Sequence, residues 1–209
     1  MVSGGYIYSN LYMSQSKNAE EFFLKLLSKY KPSRILEIGT FHGGLTIMLR
    51  DLLDMIGLQE TIIRTYDTAE QKFLKPSVDE RTEVCTKNLF NYDYNNFKDE
   101  ESKEEIRSFV NLDGPTLVLC DGGCKKCEFK LIAPLIKEAD VIMAHDYAPN
   151  REYFEEKMQN IIWDWMEIQD SDIQKTVEEH SLQNYMSEEA IKAAWLCKIK
   201  EKTLALLDN

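Results

Sequence analysis

Residues 35–44 read Ile-Leu-Glu-Ile-Gly-Thr-Phe-His-Gly-Gly, and this stretch decides the fold. A short apolar run ends at Gly39, and a helical pattern of apolar residues then continues from Leu45 to Ile56. The pattern predicts a strand, a glycine turn and a helix. Glycines let the backbone turn tightly and approach a ligand, and the first turn of the following helix offers unpaired N–H groups.

Strand and helix patterns alternate on both sides of this unit. The spacing predicts further strands over 61–66, 81–89, 116–120, 141–144 and 194–200. It predicts helices over 18–31, 99–110 and 125–138. Strands that alternate with helices form a parallel sheet covered on both faces, so we expect an α/β, Rossmann-like doubly wound sheet. Because no linker interrupts it, we expect one domain over 1–209, with a tyrosine-rich, helical cap over 1–30 and an α/β core over 31–209.

The charge balance narrows the class of partner. The chain has 25 Lys and Arg against 36 Asp and Glu, a formal net charge of −11, and no basic stripe that would hold a nucleic acid. No apolar run reaches the ~20 residues of a membrane span, and the N-terminus lacks the pattern of a secretory signal. We therefore expect a cytoplasmic protein that binds a small molecule, with neither nucleic acid nor membrane as a partner.

Acidic residues follow several of the predicted strands. Asp67 follows the second strand, Asp121 the fourth, and His145 and Asp146 the fifth. Ligands of such sheets bind at the carboxyl ends of the strands, so we expect these side chains to meet at one rim. Phe41 stands where the dinucleotide fingerprint has glycine, which disfavours NAD. A carboxylate in the place of Asp67 can accept hydrogen bonds from both hydroxyls of a ribose.

The stretch 35–44, with Tyr66-Asp67 after the second strand, resembles the S-adenosylmethionine (SAM) site of class I methyltransferases. Its His-Gly-Gly form is similar to the branch of cephalosporin-hydroxylase-like proteins and macrocin-type sugar O-methyltransferases, over about residues 14–149. The resemblance implies SAM-dependent methylation of a hydroxyl on a small or sugar-like acceptor, with Gln15 facing the pocket. The residues it implies for the cofactor are Glu37, Gly39, Thr40, Phe41, Gly43, Asp67, Asp121, and Asp93 in the adenine segment 91–93.

The same resemblance implies a divalent cation held by Asp121, His145 and Asp146. A hard cation such as Mg²⁺ prefers carboxylate oxygens and lowers the pKa of a bound hydroxyl. Gly123 and His145 stand where the branch often has acids, and the remaining set suits Mn²⁺ or Fe²⁺ better. Alternatively, His145 takes the hydroxyl proton directly. The candidate catalytic residues are therefore His145 and Asp121.

Two alternatives compete with this interpretation. Cys120, Cys124 and Cys127 have the CxxxCxxC spacing by which radical-SAM enzymes hold an iron–sulfur cluster. Cys120 closes a buried strand and Cys127 lies inside a predicted helix, so we expect reduced thiols instead. The second alternative is a nucleotide-binding or SAM-binding module without turnover.

The C-terminal third of the chain gives weaker signals. Apolar residues from Phe154 to Ile168 recur at helical spacing and predict a helix that packs in the core or against a second copy of the chain. Residues 170–186 show no clear pattern.

Overall fold

A computed structural model describes residues 4–72, 74 and 78–201 of the chain. It begins with an antiparallel hairpin of β1 (Tyr6–Tyr8) and β2 (Leu11–Met13), in which Tyr6 lies opposite Met13. Helix α1 (Ala19–Tyr30) follows. The tyrosine-rich cap is thus a hairpin and a helix, and the hairpin lies against α2, the helix that follows the glycine turn.

The centre of the molecule is a seven-stranded sheet. Its strands are β3 (Arg34–Ile38), β4 (Ile62–Asp67), β5 (Thr82–Thr86), β6 (Thr116–Cys120), β7 (Val141–Ala144), β8 (Leu182–Asn184) and β9 (Leu196–Lys200). The strand order is β5-β4-β3-β6-β7-β9-β8. The first five strands in this order are parallel, whereas β9 pairs antiparallel with both β7 and β8. The predicted Rossmann-like, mostly parallel fold is confirmed.

Helices cover both faces of the sheet. Besides α1 they are α2 (Gly44–Met55), α3 (Glu100–Val110), α4 (Lys125–Ile132), α5 (Arg151–Tyr153), α6 (Asp170–Glu179) and α7 (Ser187–Ile191), and a π-helical turn (Phe154–Met158) extends α5. Helix α4 ends six residues before the predicted boundary at residue 138, because Pro134 has no backbone N–H with which to continue the helical hydrogen bonds. No helix of the described residues is long and apolar enough to cross a membrane.

The strands carry side chains into two buried layers. Ile35 and Leu36 are neighbours on β3, yet Ile35 packs with α1 and α2, and Leu36 packs with α3 and α4. Strand side chains alternate between faces, so a sheet covered on both sides reads as a continuous apolar run. This explains why all five residues of β3 are buried and three of them, Ile35, Leu36 and Ile38, are apolar.

The C-terminal segment differs from the prediction. Instead of one helix over 154–168, regular structure stops at Met158, and Ile161 and Trp165 are exposed. The N–H groups of Ile162 and Trp163 both donate to the carbonyl oxygen of Met158, which turns the chain back towards the sheet. Residues 170–186, which gave no pattern, contain α6 and β8.

Candidate active site

A cavity of about 470 Å³ lies at the carboxyl ends of the parallel strands. Seven of the residues predicted for the site line it: Gly39, Thr40, Phe41, Asp67, Asp121, His145 and Asp146. They come together because β4, β3, β6 and β7 are neighbours that run in the same direction. Glu37 and Gly43 lie outside the lining, and Gln15 is part of it.

The glycine turn after β3 needs glycine for steric reasons. Gly39 has φ +95°, and its N–H donates to the carbonyl oxygen of Tyr66 on β4. A Cβ atom on Gly39 would lie 2.3 Å from the carbonyl oxygen of Asp121, far inside van der Waals contact. Gly43 caps the start of α2 with φ +83°. The turn therefore packs directly against the end of β6.

Glu37 lies beneath this turn and is fully buried. The hydroxyl of Thr46, in the first turn of α2, donates to Glu37 Oε2 at 2.6 Å. Burial raises the pKa of Glu37 to about 7, and the nearby carboxylates of Asp121 and Asp67 act in the same direction. Glu37 thus connects β3 to α2 from below.

Asp67 closes β4 beside the turn. Its Oδ2 accepts a hydrogen bond from the N–H of Phe41 at 2.7 Å, and its Oδ1 accepts from the N–H of Ala69 at 3.0 Å. Thr40 and Thr65 share a buried hydroxyl–hydroxyl contact of 2.7 Å alongside. A carboxylate oxygen can accept more than one hydrogen bond, so Asp67 can still accept hydrogen bonds from a ligand in the cavity.

The loop after β5 contacts the cavity at a different place from the predicted segment 91–93. Asn88, Leu89, Phe90 and Tyr94 line the cavity, whereas Asp93 is exposed and absent from the lining. Residues 91–93 turn away from the cavity because the side-chain oxygen of Asn91 accepts hydrogen bonds from the N–H groups of residues 95 and 96.

Asp121, at the end of β6, is held by side chains from two distant segments. Gln15 Nε2 donates to Asp121 Oδ2 at 2.7 Å, and His145 Nδ1 lies 3.0 Å from Asp121 Oδ1. Gln15 in turn accepts a hydrogen bond from the indole of Trp195 at 2.9 Å. The predicted position of Gln15 at the pocket is therefore observed.

His145 is buried between two indole rings. The centroids of Trp163 and Trp195 each lie 4.9 Å from that of the imidazole. Burial alone would lower the pKa of His145, but Asp121 and Asp146 outweigh it and hold the pKa above its ordinary value. The Nε2 atom is buried and has no hydrogen-bond partner among the described residues. Nδ1 is thus the nitrogen that connects His145 to the acidic groups.

Asp146 forms a second cluster with a lysine and a glutamate. Trp163 Nε1 donates to Asp146 Oδ1 at 2.5 Å, and the ammonium of Lys125 lies 3.0 Å from Asp146 Oδ2 and 3.2 Å from Glu167 Oε2. Burial alone would lower the pKa of Lys125, but Asp146, Asp121 and Glu167 raise it above its ordinary value. Lys125 lines the cavity.

Sequence reasoning missed Lys125, Glu167 and Trp163. The sequence feature that could have identified Lys125 is its position at the start of the helix that follows Asp121. Glu167 and Trp163 belong to an irregular segment whose path no local pattern predicts.

The predicted metal ligands lie together, but they do not fit a divalent cation. Every carboxylate oxygen of Asp121 and Asp146 is within hydrogen-bond or ion-pair distance of a side-chain nitrogen, from Gln15, His145, Trp163 or Lys125. Across the described ranges, no three His, Cys, Asp or Glu side chains are grouped as a metal site would need. A cation would have to displace these donors and lie beside an ammonium.

The cysteines correct a further expectation. Cys124 and Cys127 form a disulfide, whereas reduced thiols were expected. Cys124 is the residue before α4 and Cys127 lies in its first turn, so their Cα atoms come within 5.2 Å. Cys120 is a free thiol buried in the sheet. The CxxxCxxC set thus offers one thiol and a disulfide, rather than the three thiolates that a radical-SAM cluster requires.

Several solved structures share this fold, among them CmcI and an O-methyltransferase family protein. The apo structure of CmcI matches with a TM-score of 0.66 at 14% identity, over 95% of this chain and 77% of that one. A CmcI structure with Mg and SAM matches with a TM-score of 0.62 at 15% identity, over 93% and 76%. An O-methyltransferase family protein from Burkholderia thailandensis has a TM-score of 0.55 at 10% identity, over 88% and 55%. No family model and no curated protein sequence matches the chain.

Proposed function

We propose that the protein is a SAM-dependent methyltransferase that methylates a hydroxyl on a small or sugar-like acceptor. The observation that supports this most is the place of Asp67, at the end of β4 beside the glycine turn and on the cavity wall. A carboxylate there suits the two hydroxyls of a ribose, and the turn lets a ligand approach the backbone. The CmcI structures with SAH and with Mg and SAM support the same cofactor.

The chemistry of the cavity fits SAM along its length. Its volume of about 470 Å³ lies in the range of small-molecule sites. Leu89 and Phe90 offer an apolar wall to a base, near Asp67 for the ribose, while Asp121 and Gln15 provide the polar wall beside the turn. When bound, SAM supplies an electrophilic methyl group on a positively charged sulfur, which an acidic cavity favours.

The side chains of the chain orient the acceptor and remove its proton. Asp121 is the group we assign to the hydroxyl proton, because its carboxylate is at the cavity wall. The acceptor oxygen gains the methyl group as the carbon–sulfur bond breaks, and its proton passes to Asp121. His145 acts as a positioning residue, since its Nδ1 lies 3.0 Å from Asp121 Oδ1 and its Nε2 is buried without a hydrogen-bond partner among the described residues.

The mouth of the cavity favours a ring-bearing acceptor. Tyr12, Phe41 and Trp165 line it and are among the exposed large apolar side chains of the molecule. Aromatic faces of this kind pack well against the flat apolar surface of a sugar or an aromatic ring. The acceptor would lie against these rings with one hydroxyl directed towards Asp121.

Isothermal titration with SAH tests the cofactor assignment. We expect wild-type protein to bind SAH, and Asp67→Ala to weaken binding by roughly ten- to a hundredfold, because charge-assisted hydrogen bonds contribute about 1.5–3 kcal/mol. Asp93→Ala is the matched control, since this acid is exposed and outside the cavity. The proposal fails if wild type does not bind SAH, or if the two variants bind it equally well. Melting temperatures would show that both variants are folded.

Methyl transfer to a panel of hydroxylated sugars and phenols separates an enzyme from a binding module. Turnover with SAM that depends on Asp121 supports the enzyme. SAH binding without transfer to any member of a broad panel would favour the module.

A further inference from the structure

Lys125 places a fixed positive charge at the acceptor end of the cavity. Its ammonium lies between Asp146 Oδ2 at 3.0 Å and Glu167 Oε2 at 3.2 Å, and the backbone N–H of Lys125 also donates to Glu167 Oε1 at 2.7 Å. The side chain is 15% exposed and lines the cavity. Two carboxylates and the start of α4 therefore fix the position of this ammonium.

The ammonium has capacity for one more partner. A lysine ammonium carries three N–H donors, and the two carboxylates account for two of them within the described part of the chain. The remaining N–H is available to an oxygen of a ligand in the cavity that Lys125 lines.

The donor groups and the ammonium around these acids disfavour a second cation. Asp146 has both oxygens engaged, by Trp163 and Lys125, and Asp121 has both engaged, by Gln15 and His145. A divalent ion here would have to separate the Lys125–Asp146 pair and would be repelled by the ammonium within a few ångströms. The ammonium of Lys125 thus already supplies a positive charge that balances this group of acids.

We infer that Lys125 takes the place of a divalent metal ion in the active site: its ammonium binds the reacting oxygen of the acceptor, and the site needs no metal. The inference rests on the proposed function. A hydrogen bond from an ammonium stabilises negative charge on that oxygen as the hydroxyl proton passes to Asp121, which is the role a metal ion otherwise has. Asp146 and Glu167 orient the ammonium and balance its charge.

A Mn²⁺ titration followed by electron paramagnetic resonance tests the cation without any acceptor. We expect wild-type protein, with or without SAH, to leave the signal of free Mn²⁺ unchanged apart from weak surface binding. Lys125→Met removes the charge while keeping most of the side-chain volume, and should bind Mn²⁺ at least roughly tenfold more tightly, because Asp146 and Glu167 lose their partner. Lys130→Met, an exposed lysine on the same helix, removes the same net charge and should match wild type.

One outcome of this titration overturns the inference directly. If wild type binds one Mn²⁺ ion, and Asp146→Asn removes that binding, then the site is a metal site and Lys125 is not its substitute. If Lys125→Met does not fold, Lys125→Arg keeps the charge and should exclude Mn²⁺ as wild type does; Mn²⁺ binding by this folded variant would equally count against the inference.

Methyl transfer, measured with an acceptor from the panel, gives the second test. We expect EDTA to leave the rate unchanged, and Lys125→Met to lower kcat/KM by roughly a hundredfold, the loss typical of one removed donor to a developing oxyanion. The affinity for SAH should stay within about twofold of wild type. Loss of activity in EDTA, or equal activity of Lys125→Met and Lys130→Met, would contradict the inference. Absence of SAH binding in wild type would instead refute the proposed function. The Mn²⁺ titration gives its result whether or not the proposed function is correct.

Discussion

The two halves of the cavity are built in different ways. On the side of β3 and β4, the wall is a glycine turn and one carboxylate, Asp67, whose partners are backbone N–H groups. On the side of β6 and β7, side chains from distant segments hold one another, as in the chain of contacts from Trp195 through Gln15 and Asp121 to His145. The first half uses backbone geometry and the second uses a network of side chains.

This difference indicates which half of the cavity suits a ligand shared by many proteins and which half is specific to this protein. A backbone turn tolerates many sequences as long as its glycines remain, so it suits a cofactor shared by many proteins. A buried network of charges is sensitive to every member, because removing one partner leaves another buried and unpaired. We therefore expect acceptor chemistry to be determined on the side of β6 and β7.

Gly39→Ala should have the largest effect, because Gly39 lies where the two halves meet. A Cβ atom there would be 2.3 Å from the backbone of Asp121, and φ is +95°. Steric strain and forced displacement together should destabilise the protein by about 3–5 kcal/mol and abolish SAH binding. Urea unfolding and calorimetry measure the two effects.

Gly57→Ala is the matched control for this prediction. Gly57 also has a positive φ, of +80°, but a Cβ atom there would meet nothing within 4 Å. It should lose only about 1–2 kcal/mol and keep its affinity for SAH. Equal effects of the two variants would show that the contact between the halves is unimportant.

Glu37→Gln should change how stability depends on pH. The pKa of buried Glu37 is raised from 4.5 to about 7, so between these values the folded state holds more protons than the unfolded state. The free energy of unfolding should therefore fall as pH rises from about 4.5 to 7, by up to roughly 3 kcal/mol from this group. Glu37→Gln should remove this contribution and leave that of Glu128, whose pKa burial also raises to about 7.

Urea unfolding at a series of pH values measures this slope. Glu60→Gln, a change at an exposed position, is the control and should leave the slope as in wild type. A slope that stays the same in Glu37→Gln would show that Glu37 titrates normally in the folded protein.

The fold was predictable from local patterns. Apolar runs located the strands after the glycine turn. The candidate site residues then followed from the rule that ligands bind at the carboxyl ends of parallel strands. The pattern failed over 154–168, since a helix needs continuous hydrogen bonds and the chain instead turns at Met158, where three later N–H groups share one carbonyl. Spacing alone does not predict such a turn.

The candidate site was predictable on one side of the cavity only. Asp67 and the glycine turn are local features, and their neighbours follow within a few residues. The pairing of Lys125 with Asp146 and Glu167 depends on how an irregular segment packs on α4, which no periodicity encodes. The metal hypothesis named acids correctly placed at the rim, but it could not foresee the donors that occupy their oxygens.

Trp163→Phe should destabilise the side of β6 and β7 by about 2–3 kcal/mol. The indole N–H is a donor to buried Asp146, and phenylalanine keeps most of the ring but removes that donor. Urea unfolding should show the loss. Trp165→Phe, where the ring is 56% exposed, is the control and should stay within about 0.5 kcal/mol of wild type. Similar values for both would mean that Asp146 does not depend on the indole.

Cys127→Ser should have the smallest effect on stability. The disulfide joins residues only three apart, so it closes a very short loop and restricts the unfolded chain little. The loss should be about 1–2 kcal/mol, and α4 should still begin at the same place, because Glu128 accepts hydrogen bonds from the N–H groups of Gly122 and Cys124 independently of the sulfurs. Unfolding with and without a thiol reductant measures it, and Cys85→Ser, a free cysteine, is the control. If Cys127→Ser also removes SAH binding, the disulfide must hold the loop that carries Asp121, and the side of β6 and β7 would depend on a covalent bond as well as on its network of side chains.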